Sequence, residues 1–271
     1  MVEINDRPVN DRQHNRLHHH GNDRLHHQSI EDFVGELTAF ASPQVFNPWR
    51  DYHPDTDISP DAPEIRRVHL KQYLRLRKEA KFLFVAEAAG YQGGHFSGVA
   101  LTSERMLLGN HTDISPAMIL GGHMAGRTSS PASPHLKPAQ RASGFAEPTA
   151  TVVWKEILHN GLSPFEVILW NIFPFHPYNA KKGLLSNRTP TKKELAVGAT
   201  FLGKLLTVAP GAEDLLVIAI GGHAAETLAK MGVPHRHVPH PSNGGTPGFR
   251  RGMRGILQLE GLKSQLRRSF P

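Results

Sequence analysis

The sequence predicts an α/β fold: a three-layer α/β/α sandwich around a central, mostly parallel four-stranded sheet. Three observations carry this expectation. Continuous apolar runs occur at residues 82–86, 167–170 and 215–220. Each is short and lacks the polar alternation of a half-exposed strand, so each reads as a strand buried on both faces. Segments with helical apolar spacing separate them, and strands alternating with helices imply a parallel sheet covered on both sides.

The elements follow in order. Residues 1–28 are rich in Asn, Asp, Arg and His and poor in apolar side chains. They are expected to form a disordered tail, because they bury too little to offset ordering entropy. His18, His19, His20, His26 and His27 within it read as solvated side chains or as a weak metal site. A single domain is expected from residue 29 to 271. Ser29 precedes Ile30, Phe33, Val34 and Leu37, the pattern of a capped amphipathic helix. Four prolines within residues 41–62 mark a loop. A basic helix follows over 63–78, with Pro63 in its first turn. After the strand at 82–86, the Gly-, Ser- and Pro-rich stretch 121–149 is expected to be a long mobile connection. Helices are expected at 151–159, 194–207 and 223–231, and a short fourth strand at 235–238.

Composition narrows the function. The 271 residues carry a formal net charge of +7 and no cysteine. The positive charge favours a polyanionic partner. The absence of cysteine excludes disulfides, iron–sulfur clusters and Cys-ligated zinc. No apolar run approaches the length needed to span a bilayer. A cytoplasmic monomer without membrane contact is the expectation.

In an open parallel sheet, ligands bind beyond the carboxyl ends of the strands. Three loops there hold the candidate chemistry. The first is Glu87-Ala88-Ala89-Gly90-Tyr91, a carboxylate beside a Gly-rich turn. It reads as a ligand-approaching loop or as a tight strand–helix turn. The second holds Asn171 just past an apolar run. Its amide matches the donor and acceptor edge of a pyrimidine, or caps the turn before Pro174. The third is His240-Pro241-Ser242-Asn243. The imidazole can hydrogen-bond a leaving group, while Ser242 and Asn243 can hold a phosphate. Arg250, Arg251 and Arg254 follow as a basic cluster, for a DNA backbone or simply a solvated helix face.

Together these segments resemble the uracil-DNA glycosylase superfamily, from about Phe46 onward. The first motif, Gly-Glu-Ala-Pro-Gly in the similar bacterial branches, stands here as Ala86-Glu87-Ala88-Ala89-Gly90. The segments 98–105, 147–151, 171–177 and 187–190 follow in family order, and His240-Pro241-Ser242 closes the series. The resemblance implies a DNA glycosylase that acts on single- or double-stranded DNA and needs neither metal nor cofactor. It implies that Glu87 positions water or steadies the sugar cation, Asn171 reads the base edge, and His240 stabilises the departing base. It also implies that Ala88, Ala89, Gly90, Tyr91 and Leu101 form the base pocket, and that Arg188 joins the DNA-binding set.

Two positions depart from the family pattern. Ala89 replaces a proline, and Leu101 stands where an aromatic ring stacks on uracil. The expectation is a pocket for a modified pyrimidine larger than uracil, such as the glucosylated hydroxymethylcytosine of some phages, in anti-phage defence. The alternatives are uracil excision in base repair, a DNA-binding protein without catalysis, and a hydrolase of free nucleosides.

Overall fold

The computed structural model describes residues 29–209 and 214–269, the side chains of 261–269 excepted. The expected tail, with its histidines, lies outside the described residues. Helices are α1 (Ile30–Ala39), α2 (Ala62–Arg75), α3 (Gly94–Ser97), α4 (Glu104–Leu107), α5 (Pro116–Leu120), α6 (Pro138–Ser143), α7 (Pro148–His159), α8 (Lys192–Val208), α9 (Gly222–Lys230) and α10 (Thr246–Ser269). Strands are β1 (Val45–Phe46), β2 (Phe82–Ala88), β3 (Val167–Phe173), β4 (His176–Pro177), β5 (Leu216–Ile220) and β6 (Arg236–Val238). Among the described residues no helix is long and apolar enough to cross a membrane.

The main sheet has the order β3-β2-β5-β6, all parallel. All seven residues of β3 are buried although the strand stands at the edge of the sheet, with helix α8 packed against it. Burying each of its large apolar side chains contributes about 1.5–3 kcal/mol. Helix α8 packs so closely on β3 that a Cβ at Gly198 would overlap the carbonyl of Ile172. The predicted cap is present: Ser29 Oγ accepts the Asp32 N–H at 3.0 Å, and Asp32 reaches back to Ser29. Thr191 and Glu194 form the same reciprocal box at the start of α8.

Sheet order also locates the site. The chain leaves β2 toward β3 on one side, then crosses back to β5 and leaves it toward β6 on the other. A crevice opens beyond the carboxyl ends of β2 and β5, where the connections diverge.

Three expectations are corrected. Strands β2 and β3 run farther than the apolar runs, so Glu87 and Asn171 lie within strands and not just past them. The loop over 41–62 contains β1, which pairs antiparallel with β4. The segment 121–149 is not a mobile connection. It carries α6, and Leu136 and Phe145 are buried. Its anchors are polar. The buried carboxylate of Glu104 accepts the N–H groups of Thr128 and Ser129, each at 2.8 Å. Arg127 donates to the carbonyls of Gln140 at 2.8 Å and Arg141 at 2.7 Å. Composition does not reveal anchors that come from 25 residues away in sequence.

Strand β4 also brings His176 to His95, with their Nδ1 atoms 2.8 Å apart and both residues fully buried. The ring of His95 stacks on Phe46 at 3.9 Å between centroids. Burial holds His95 well below the ordinary histidine value and His176 down at about 4. The unfolded chain then binds more protons than the folded one between about pH 6.5 and 4. The stability present above pH 6.5 should therefore be lost as pH falls through that window. His95→Asn keeps a hydrogen-bonding atom at the Nδ1 position and removes the titration. Its urea midpoint should depend less on pH between 6.5 and 4.5 than that of the unaltered protein. Equal dependence would exclude His95 as a source of acid lability.

Candidate active site

A cavity of about 530 Å³ opens at the crevice. Its wall is built by Ala86, Glu87, Ala88, Ala89 and Gly90 from β2 and its turn, and by Leu101 and Glu147. His240, Ser242 and Asn243 add a second side, and Asn187, Arg188, Thr189 and Pro190 a third. The structure therefore brings Glu87 and His240 to one cavity. Asn171 stands in register with Ala86 on the neighbouring strand. Asn171 is not among the residues that line the cavity; paired residues of parallel strands project to the same side, so its side chain shares a face of the sheet with those of Ala86 and Ala88. Asn171 is buried, and its Oδ1 has no hydrogen-bond partner. Such an atom loses its solvation with nothing in return, unless a ligand supplies a donor.

His240 is held by its own loop. The backbone N–H of Ser242 donates to its Nδ1 at 3.1 Å, and Ser242 Oγ lies 2.7 Å from the same atom. A backbone N–H only donates, so Nδ1 is the acceptor and the ring proton sits on Nε2. Burial lowers the pKa of His240, which favours this neutral form. The loop turns back sharply through Asn243, φ 51°, and Gly244, φ 82°. A Cβ on Gly245 would overlap the carbonyl of His240.

Glu87 is half-buried, and its Oε1 makes no hydrogen bond. Burial raises its pKa, and His223 at the start of α9, 3.9 Å away, opposes the rise. Leu101 adopts φ 49°, a conformation that strains a residue with a branched side chain. That bend places a non-aromatic side chain on the cavity wall. The loop before it is pinned: Gly98 lies against the backbone of Arg66, and its carbonyl accepts the indole N–H of Trp49 at 3.1 Å.

Other expected residues fall elsewhere. Tyr91 does not line the cavity. Its N–H donates to Asn187 Oδ1 at 3.0 Å, and its ring packs against Phe145. Arg188 lines the cavity, but its guanidinium forms a two-pronged pair with Glu194 at 2.6 and 2.7 Å. Arg250 and Arg254 lie along a separate hollow of about 220 Å³ with Lys155, Glu156 and His159, where Arg250 is 3.6 Å from Glu156. Arg251 is exposed on the same helix.

The sequence reading assigned no role to Glu147, Thr149 or Asn187, yet all three line the cavity. Glu147 is half-buried as a residue, while its Oε2 is sealed and makes no hydrogen bond. Burial raises this carboxyl to about 7. A carboxylate immediately before Pro148 resembles an ordinary helix start. Only its failure to cap α7 marks it out, and that is a tertiary fact.

No protein-family profile and no curated protein matches the chain. Among solved structures, the crystal structure of SMUG2 from Pedobacter heparinus aligns with 87% of this chain and 98% of its own, at a TM-score of 0.56 and 13% identity. The two proteins share a fold. UNG from Nitratifractor salsuginis aligns with 74% of this chain and 85% of its own, at a TM-score of 0.36 and 13% identity.

Proposed function

We propose that this protein is a monofunctional DNA glycosylase: it extrudes a pyrimidine from DNA and hydrolyses its N-glycosidic bond, leaving an abasic site. The observation that supports this reading best is the placement of Glu87 and His240 around one cavity, with the Nδ1 of His240 taken up by Ser242. Breaking the bond builds positive charge on the sugar and negative charge on the base, as in other glycosyl transfers. A carboxylate on one side and a donor on the other lower the barrier to that separation electrostatically. Glu87 steadies the sugar cation and aligns the attacking water. His240 donates to the oxygen of the departing base. Asn171, with its free Oδ1, accepts from the base edge. Ser242 and Asn243 hold the adjacent phosphate, and the basic α10 favours the DNA backbone. The similarity of fold to SMUG2 supports the same reading.

The finer reading is a base bulkier than uracil. Leu101 and Ala89 leave the wall without a ring, and the cavity has room beyond a pyrimidine. Glucosylated hydroxymethylcytosine fits this description, and its removal would act against phages that carry it.

Oligonucleotides containing uracil, cytosine or glucosylated hydroxymethylcytosine, single- and double-stranded, test the proposal through alkali-labile abasic sites. Abasic sites should form in DNA, free nucleosides should stay intact, and affinity for DNA should fall steeply with salt. DNA binding without release of any base would favour a non-catalytic binder. Release from uracil alone would return the chain to uracil excision.

A further inference from the structure

We infer that Glu147 contacts the extruded base and sets a preference for pyrimidines bearing hydrogen-bond donors, an exocyclic amine or a hydroxyl, over uracil. The inference rests on the glycosylase reading and concerns its substrate class.

On the cavity wall two buried side-chain atoms make no hydrogen bond, Glu87 Oε1, which has His223 3.9 Å away, and Glu147 Oε2; on the strand beside that wall Asn171 Oδ1 makes none either. All three are acceptors. A ligand that completes the site must therefore bring donors. Glu87 faces the developing sugar charge, which leaves Asn171 and Glu147 for the base. Uracil offers one ring N–H and two carbonyls. Once that N–H meets Asn171, no donor remains for the ionised Glu147, and a carbonyl facing the carboxylate repels it; only the protonated carboxyl can donate to that carbonyl, so the preference should grow as pH rises through about 7. A 4-amino group offers two N–H bonds, and a 5-hydroxymethyl group adds an O–H. Either supplies the missing donor.

Glu147 has no competing structural task. It precedes α7, yet its side chain makes no cap bond, and its carboxyl makes no hydrogen bond or ion pair with the described residues. It lies on the cavity wall with Thr149 and rests on Gly93, where a Cβ would overlap it. The last torsion of a glutamate is broad, so either oxygen can turn to the ligand. The other ionisable groups around the cavity are Glu87, His240 and Arg188. None of them moves the Glu147 carboxyl; burial alone raises it, to about 7. Near neutral pH it can both donate and accept, and above that it only accepts.

The test compares single-turnover release of uracil, cytosine and 5-hydroxymethylcytosine from one duplex sequence, between pH 6 and 8. The unaltered protein should favour at least one donor-bearing base over uracil by about 10–100-fold in kcat/KM, the range that one hydrogen bond to a charged group supplies. Glu147→Ala should bring that ratio near one. Glu147→Gln keeps a donor and an acceptor at every pH, so it should retain part of the preference and flatten the pH dependence of the ratio. Urea unfolding of each variant separates misfolding from loss of recognition. Uracil released as fast as both other bases would overturn the inference and leave the glycosylase reading intact. So would an equal loss on all three bases in Glu147→Ala with the fold preserved. Release of none of these bases, nor of glucosylated hydroxymethylcytosine from the same duplex, would overturn both.

Discussion

His240→Ala should lower base release by about 10²–10³-fold, the usual loss when one donor to a developing anion is removed. The argument rests on the tautomer. Ser242 N–H fills Nδ1 and leaves Nε2–H free to donate, and this donor becomes stronger as the base gathers charge. Its contribution falls on the transition state, so kcat should drop while DNA affinity stays within a few-fold. Asn171→Ala should produce a loss of similar size. It removes a buried acceptor that makes no hydrogen bond, without touching a phosphate contact. Single-turnover excision and a fluorescence binding titration separate the two effects. An alanine variant at His240 that still releases base within threefold of the starting rate would end the assignment of that residue. Parallel losses of binding and rate would instead make it a docking residue.

Asp57→Ala should destabilise the fold by about 3–5 kcal/mol, because it leaves a buried guanidinium without its counter-charge. Arg66 and Asp57 are paired, and both side chains are completely buried. The same guanidinium donates to the carbonyls of Asp51 at 3.2 Å and Pro48 at 3.3 Å, and lies near the rings of Phe46 and Phe96. Removing one partner cannot be relieved by water. At roughly 2–4 °C per kcal/mol, the melting temperature should fall by about 10 °C. Replacing both residues with apolar side chains of similar volume should recover much of the loss. The damage should reach the site as well. The backbone of Arg66 supports Gly98, three residues before the strained Leu101. A drop under 3 °C in calorimetry would show that the pair carries little of the fold.

Much of the architecture was legible in the chain itself. The apolar runs at 82–86, 167–170 and 215–220 became β2, β3 and β5, because a parallel strand covered on both faces has no polar alternation to obscure it. Ser29 capped α1, since a cap is a local bond between neighbours in sequence. The attachment of Glu87 and His240 to strand ends followed from the rule that open sheets present ligands there. Local patterns failed where long-range contacts decide. The Gly- and Pro-rich stretch 121–149 resembled a loose connection until Glu104 and Arg127 were seen to anchor it.

The sequence alone therefore determined the alternation of strands and helices, and which segments lie near the carboxyl ends of the strands. Both depend on periodicity and capping, which act over a few residues. The tertiary structure decided the order β3-β2-β5-β6, the meeting of Glu87 and His240 around one cavity, the pairing of Arg188 with Glu194, and the burial of the Glu147 carboxyl. These depend on which distant segments exclude water from one another, a property of the packed chain that no local pattern encodes.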